Sequence, residues 1–172
     1  MTPRTLLRGI VAVLTVALVA ACGGAGDGAT DDARLPAIEL IGLDDGAAAM
    51  LDEPSDAPRV INLWASWCAP CRSELPAFDE VATELGDAVA VLGVNVGEDP
   101  DTATALVDEL GITFPQRVDP ASEITAALEI AGLPATVFTT ADGRILDVHG
   151  GTLDADELRT RIDELFGVTS DV

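Results

Sequence analysis

Two cysteines three residues apart, Cys68 and Cys71, directly follow an apolar run in the segment VINLWASWCAPC. A pair of this kind can exchange disulfides, bind a metal or crosslink the fold. A structural zinc site needs four ligands. Apart from Cys22, which lies at the end of the export signal described below, the chain adds only the distant His149 to the pair. A crosslink that closes so short a loop removes little entropy from the unfolded chain. Thiol–disulfide exchange is therefore the leading interpretation, and no metal is expected.

The chain begins with the pattern of an export signal. Arg4 and Arg8 precede an apolar stretch, residues 10–21, which is shorter than the roughly 20 residues that a membrane-spanning helix needs. The letters LVAAC end at Cys22 and resemble a bacterial lipobox, in which the cysteine becomes the first mature residue and carries lipid. We therefore predict a lipoprotein signal peptide over residues 1–21, a lipid anchor on Cys22 and an extracytoplasmic location at the bacterial cell membrane. An ordinary secretory signal that happens to end in cysteine is the alternative.

Composition and charge narrow the functional classes. With 172 residues, of which 48% are hydrophobic and 23% charged, the chain can bury the core of one domain. Its formal net charge of −21 argues against nucleic-acid binding, because no basic surface is available to replace the counterions of phosphates. Beyond the signal peptide we predict a flexible Gly/Asp/Ala tether over residues 22–34, one folded domain over residues 35–168 and a short tail over residues 169–172.

Hydrophobic patterning places the two cysteines where a strand passes into a helix. A continuous apolar run, residues 59–65, is typical of a central strand that is covered on both faces. An N-terminal hairpin precedes this run. The segments after Cys68 predict the order helix, strand, helix, short strand, helix, hairpin and helix, with the third helix over residues 122–131. A CxxC pair beside a βαβ pattern indicates a thioredoxin-like redox motif.

Three stretches carry a resemblance to a known family. VINLWASWCAPCRSELP, LGVNVGEDPD and AGLPATVFTTADGRI together resemble the TlpA/ResA/CcmG-like thioredoxin family, over roughly residues 35–166. The resemblance implies an α/β thioredoxin fold, with a central mixed sheet flanked by helices, an N-terminal β-hairpin and a central βα insertion. Two departures concern the surface that a partner reads: Ala135-Thr136-Val137 replaces the usual Thr-Thr-Phe, and Leu128 replaces a frequent tyrosine.

The resemblance assigns roles to residues around the pair. Cys68, at the start of the helix and open to solvent, is the nucleophile, and the free N–H groups of the first turn lower its pKa. Cys71, one turn on and more buried, resolves the mixed disulfide. Pro134 corresponds to a cis-proline beside the pair that exposes the backbone of Leu133 to a substrate. Trp67 is expected to cover the disulfide and to contact partner proteins.

Proton transfer is assigned to an acid on the same helix. Glu74 lies three residues beyond Cys71, where relatives carry a glutamate near the thiols. Asn62 occupies the strand position at which plain thioredoxins place a buried aspartate, so Glu74 is the better candidate to move the proton of Cys71. The alternative is a solvated glutamate favoured by the helix dipole. Glu98 is expected to be an ordinary acid of a turn, and the alternative is that it lines the cleft beside the cysteines.

The expected function is that of a membrane-anchored reductant of disulfides in envelope proteins, such as apocytochrome c during cytochrome c maturation. A membrane electron carrier would recharge it, and a monomer without a cofactor is expected. An oxidant that forms disulfides in secreted proteins is the main alternative, since nothing in the sequence measures the relative stability of dithiol and disulfide. A copper-delivery protein is less favoured, because such proteins usually have C-x-x-x-C spacing and an added histidine. A peroxiredoxin would have a threonine shortly before its cysteine, and the segment WASWC does not offer one.

Overall fold

The computed structural model describes residues 33–169, which form a seven-stranded sheet and four α-helices. In chain order the elements are β1 (Glu39–Gly42), β2 (Ala48–Met50), β3 (Arg59–Trp64), α1 (Ala69–Leu85), β4 (Ala90–Val96), α2 (Pro100–Leu110), β5 (Gln116–Asp119), α3 (Glu123–Ala127), β6 (Ala135–Thr139), β7 (Ile145–Gly150) and α4 (Ala155–Phe166). A short 3₁₀ helix, Gly86–Ala88, follows α1. Within residues 33–169, no helix is both long enough and apolar enough to cross a membrane.

The sheet is mixed, with the strand order β2-β1-β5-β4-β3-β6-β7. β3 lies inside the sheet, parallel to β4 on one side and antiparallel to β6 on the other. All six residues of β3 are buried, which confirms the prediction of a strand covered on both faces. β1 and β2 form the expected N-terminal hairpin, and β1 joins the rest of the sheet through an antiparallel pairing with β5.

Apolar side chains pack in two layers, one on each face of the sheet. The layer between β3 and the helices α1 and α4 includes Val60, Trp64, Phe78, Leu158 and Ile162. The layer on the opposite face, between the sheet and α3, includes Leu40, Ile61, Leu63, Ile124 and Val137. Successive residues of β3 enter different layers because side chains alternate across a strand. The end of β3, from which the cysteine segment starts, is therefore held from both sides.

α1 begins at the cysteine pair. Cys68 is its N-cap residue, and Pro70 occupies the first turn, where an N–H group would lack a helical partner. The helix continues through Pro76 and ends at Gly86, whose φ of 51° is unfavourable for residues with a side chain. Phe78 is fully buried on the inner face. Packing of that face fixes the start of the helix, and the cysteines with it, against the sheet.

The third helix is shorter than the sequence predicts. α3 spans Glu123–Ala127, not residues 122–131. Glu129 has a positive φ of 53°, and the N–H of Ile130 donates to the carbonyl of Thr125 at 2.9 Å. This pattern closes a helix in the way that a C-terminal glycine usually does. Because a glutamate occupies the position, nothing in the sequence signals that the helix ends there.

Candidate active site

The strand-to-helix junction brings Cys68 and Cys71 together. Their Sγ atoms form a disulfide, and their Cα atoms lie 5.3 Å apart. The Sγ of Cys68 also accepts a hydrogen bond from the backbone N–H of Cys71 at 3.3 Å, at a helix end whose first N–H groups have no partner within the helix. Together with the helix dipole, this N–H group stabilises a thiolate on Cys68 when the pair is reduced.

The two cysteines differ in burial less than the sequence predicts. Cys71 is fully buried, and Cys68 is only 4% exposed. The expectation that Cys68 is open to solvent is therefore wrong for the disulfide form. The reason is packing, since Cys68 belongs to the same core cluster as Trp64, Ala65 and Cys71. Cys68 is nevertheless the more accessible member of the pair.

Pro134 lies beside the end of β3. β6 begins at Ala135, which is opposite Leu63 in the antiparallel pair with β3. Pro134 directly precedes β6, and the Leu133–Pro134 peptide bond is cis, as the family resemblance implies. Pro134 is buried and Leu133 is half-buried. Both residues therefore lie beside the end of β3 from which the cysteine segment starts.

The two tryptophans near the pair have opposite environments. Trp67 is 71% exposed, the largest exposure of any bulky apolar side chain within residues 33–169. Trp64 is fully buried, and its Nε1–H donates to Oε1 of Gln116 at 2.9 Å. A groove of about 350 Å³ is lined by Trp67 and Leu133 and reaches Thr125 of α3. An exposed indole beside an open groove provides an apolar surface for a partner chain.

Glu74 is an acid inside the core, one helical turn beyond Cys71. It is 3% exposed, so the alternative of a solvated glutamate is wrong. Nδ2 of Asn62 donates to one carboxylate oxygen at 2.8 Å, and the backbone N–H of Leu153 donates to the other at 3.1 Å. Burial raises the pKa of Glu74 to about 7, against the opposing effect of these two hydrogen bonds. A carboxyl group with this pKa can take up and release a proton near neutral pH.

A second carboxylate reaches the cysteine segment from the loop after β4. Glu98 accepts hydrogen bonds from the backbone N–H of Ser66 at 2.7 Å and from Nδ2 of Asn95 at 2.6 Å. Its other oxygen accepts a bond from the Ser66 hydroxyl. The expectation of an ordinary turn acid is therefore wrong. Strand register was the signal that could have found this contact, since Asn95 lies opposite Trp64 in the parallel pair of β3 and β4.

The remaining candidate ligands lie elsewhere. His149 is part of β7, which forms one edge of the sheet. Within residues 33–169, no three His, Cys, Asp or Glu side chains are grouped closely enough to hold a metal ion. Cys22, the predicted signal peptide and most of the predicted tether lie outside the described residues.

Comparison with known proteins identifies the family. Residues 32–148 match the model of the AhpC/TSA family. The thioredoxin-like protein YneN of Bacillus subtilis is 31% identical over 121 residues, which cover 69% of this chain and 71% of YneN. The thiol:disulfide interchange protein HelX of Rhodobacter capsulatus is 34% identical over 114 residues, which cover 66% of this chain and 63% of HelX. Relatives named thiol-disulfide oxidoreductase ResA match as well.

Solved structures of similar proteins share the fold. A DsbF homologue from Corynebacterium diphtheriae has a TM-score of 0.68 at 32% identity, over 78% of this chain and 88% of that protein. The exposed lipoprotein thioredoxin Etrx1 from Streptococcus pneumoniae has a TM-score of 0.62 at 29% identity, over 74% of this chain and 98% of that protein. These matches confirm the predicted thioredoxin fold and the family resemblance. The chain is therefore a thiol–disulfide oxidoreductase that belongs to the AhpC/TSA family, in its TlpA/ResA/CcmG-like thioredoxin branch.

Proposed function

We propose that the protein is a lipid-anchored, extracytoplasmic reductant that uses Cys68 and Cys71 to reduce disulfides in envelope proteins. One observation carries the exchange reaction at this pair: Cys68 caps α1 and its sulfur accepts an N–H bond, while Cys71 is fully buried. The first thiol is thereby activated and the second is protected from solvent. An activated attacking thiol and a protected resolving thiol are the two groups that disulfide exchange requires.

The reaction is proposed to start from the dithiol form of the pair. The Cys68 thiolate attacks one sulfur of the target disulfide, which forms a mixed disulfide and releases the other target sulfur as a thiolate. Cys71 then loses its proton and attacks the sulfur of Cys68. This step restores the Cys68–Cys71 disulfide and releases the first target sulfur. Two electrons have then passed to the target, which takes up two protons and leaves as a dithiol.

Glu74 is proposed to accept the proton that Cys71 loses. It lies one turn beyond Cys71 on the same helix, and its pKa of about 7 lies below the ordinary thiol value of roughly 8.5. At neutral pH a substantial fraction of the molecules therefore carries Glu74 in its basic form. The proton can then pass from Glu74 to a departing target thiolate, which returns Glu74 to its ionised form for the next cycle.

Target proteins are proposed to bind at the edge of the sheet that carries the pair. Trp67 offers an exposed ring there, and Leu133 contributes to the groove of about 350 Å³ beside it. Leu133 directly precedes the buried Pro134, and the next residue, Ala135, begins β6 opposite Leu63 near the end of β3. An extended target segment that lies along Leu133 brings its own disulfide towards Cys68.

The direction of the reaction depends on opposing features of the site. The N–H bond to the Cys68 sulfur stabilises the thiolate, and hence the dithiol form, which favours an oxidant of secreted proteins as the alternative function. Glu74 and Glu98 bring carboxyl groups to the same region, and negative charge disfavours a thiolate. We propose that the two acids affect the stability of the thiolate more than the N–H bond does. The proposed role is therefore reduction, with apocytochrome c as a candidate target and a membrane electron carrier as the source of electrons.

The membrane anchor is proposed to be a lipid on Cys22. The support is the sequence LVAAC, which resembles a lipobox, and the Gly/Asp/Ala-rich stretch that follows it. The similar protein Etrx1 is described as an exposed lipoprotein. A lipid at this position holds the domain at the membrane surface while the linker leaves it free to meet its partners.

A trapping experiment tests the roles of the two cysteines, in a Cys22→Ala background that leaves Cys68 and Cys71 as the only thiols. Reduced Cys71→Ser should form a stable mixed disulfide with a model target such as insulin, because no resolving thiol remains. Cys68→Ser is the matched control and should trap nothing, and both variants should lose nearly all catalysis of insulin reduction by dithiothreitol. Turnover that survives the loss of Cys68 would contradict the proposal.

A further inference from the structure

Strand register brings Glu98 to the cysteine segment. β3 and β4 are parallel, and Trp64 at the end of β3 lies opposite Asn95 of β4. Segments that follow two parallel strands leave the sheet at the same edge. Ser66 follows β3 and Glu98 follows β4, so the two residues meet although 32 positions separate them in the sequence.

The Glu98 carboxylate holds the turn that enters Cys68. One oxygen accepts bonds from the N–H of Ser66 and from Nδ2 of Asn95, and the other accepts a bond from the Ser66 hydroxyl. The N–H of Cys68 donates to the carbonyl of Ala65 at 3.1 Å, so Ser66 lies inside a turn that ends at Cys68. A change at Glu98 therefore changes the support of the residue that carries the reactive sulfur.

Gly97 fixes the approach of this carboxylate. Its φ is +76°, in the region that residues with a side chain rarely adopt. Its N–H donates to the carbonyl of Asp119 at 2.9 Å, and an added Cβ atom would lie 2.8 Å from Oγ of Ser122. The backbone before Glu98 is therefore held by its conformation and by its neighbours, and this fixes the position of the Glu98 carboxylate beside Ser66.

The carboxylate also brings a negative charge. Its three hydrogen bonds come from neutral groups, and the ion pairs formed within residues 33–169 do not include Glu98. Because Ser66 is two residues before Cys68, chain geometry places the charge on the order of 10 Å from the sulfur, about one Debye length at physiological salt. Glu74 is the other acid of the site. A nearby negative charge disfavours the thiolate but leaves the uncharged disulfide unaffected.

We propose that Glu98 is a positioning residue that shifts the Cys68–Cys71 couple towards the disulfide and so makes the protein a stronger reductant. It acts by holding the turn before Cys68 through Ser66 and by destabilising the thiolate of the dithiol form. The inference rests on the proposed exchange at the cysteine pair. It deepens that proposal, because it names a group that sets the direction of exchange.

Three variants in the Cys22→Ala background separate the charge from the hydrogen bonds. Glu98→Gln keeps the shape and removes the charge. Ser66→Ala keeps the charge and removes the hydroxyl bond. Glu53→Gln, an exposed change before the opposite end of β3, is the matched charge control. The two readouts are the equilibrium constant of the couple with glutathione and the pH dependence of Cys68 alkylation in the reduced protein, each measured after thermal melting has shown that the variant is folded.

We expect Glu98→Gln to shift the equilibrium towards the dithiol by roughly threefold to tenfold and to move the alkylation profile to lower pH. Ser66→Ala should give a smaller shift of the equilibrium and an alkylation profile close to that of the parent protein, and Glu53→Gln should match the parent in both. A Glu98→Gln protein that matches the parent in both readouts would overturn the inference. A parent protein that does not equilibrate with glutathione would instead overturn the proposed exchange.

Discussion

At the scale of single residues, the site places an ionisable carboxyl group inside the core. Glu74 is bonded on one side to Asn62 and on the other to the N–H of Leu153. Both donors are neutral, so they compensate only part of the cost of burying the charge. This balance explains why the pKa of Glu74 rises to about 7 although two hydrogen bonds favour its ionised form. A carboxyl group with this pKa can transfer protons near neutral pH, but its ionisation there destabilises the folded protein.

Glu74 should make the oxidised protein less stable as the pH rises. The carboxyl is protonated in both states below the ordinary value of 4.5, whereas from there to about 7 only the folded protein keeps the proton. The stability is therefore lost through this window, by up to about 3 kcal/mol. Denaturant unfolding of the wild type and of Glu74→Gln, at several pH values between 4.5 and about 7, measures the effect. The wild type should lose stability relative to the variant, and parallel curves would show that Glu74 ionises as freely in the folded state as in the unfolded one.

How far the sequence predicts the site differs among these residues. The cysteine spacing and the proline motif are local, and both predict the observed geometry. The burial of Glu74 depends on Leu153, which is 79 positions away in the chain, and the bond from Ser66 to Glu98 spans 32 positions. Such contacts depend on how distant loops pack, and no short motif encodes them.

At the scale of elements, the start of α4 is coupled to the redox site. Asp154 caps this helix and forms a capping box with Glu157: its side chain accepts the Glu157 N–H, and its own N–H donates to the Glu157 carboxylate. The residue just before the cap is Leu153, whose N–H binds Glu74. The cap therefore orients the backbone donor that supports the buried acid.

Asp154→Ala should reduce the free energy of unfolding by about 1 kcal/mol, because the first turn of α4 loses its side-chain acceptor. Denaturant unfolding at neutral pH measures the loss. The matched control is Asp163→Ala, which removes an exposed aspartate from the same helix and should stay within about 0.5 kcal/mol of wild type. Equal stabilities of the two variants would mean that the cap contributes nothing to the fold.

The elements themselves are largely predictable, because most of their ends carry local signals. Gly86 and Gly111 mark the C-termini of α1 and α2 with positive φ angles. α3 is the exception, since its end is closed by Glu129 in a left-handed conformation. The pairing of β1 with β5 is equally absent from local patterns. It depends on which sheet edge remains free once the central strands have paired.

At the scale of the whole molecule, the chain enters the domain far from the cysteine pair. The carbonyl of Ala33 accepts a bond from the N–H of Ile145 at 2.7 Å, and Arg34 forms an ion pair with Asp142. These contacts lie at the hairpin between β6 and β7, whereas Pro134 lies at the opposite end of β6. The proposed tether, attached there, would leave the end of the sheet that carries the cysteine pair turned away from the point of attachment.

The proposed lipid anchor makes a simple prediction for the location of the protein. In bacterial cells, the wild type should sediment with the membrane fraction, and Cys22→Ala should not, because the variant lacks the residue that carries the lipid. Ser73→Ala, an exposed change within α1, should sediment like the wild type. Sedimentation of Cys22→Ala with the membranes would contradict a lipid at this position.

The reduction potential of the Cys68–Cys71 couple tests the central claim most directly. It is measured on the Cys22→Ala protein by equilibration with glutathione buffers of defined ratio. A membrane-anchored reductant should have a potential of about −250 mV or lower, in the range of thioredoxin at roughly −270 mV. A value close to that of DsbA, roughly −120 mV, would contradict the account, because the protein would then donate its disulfide to its partners.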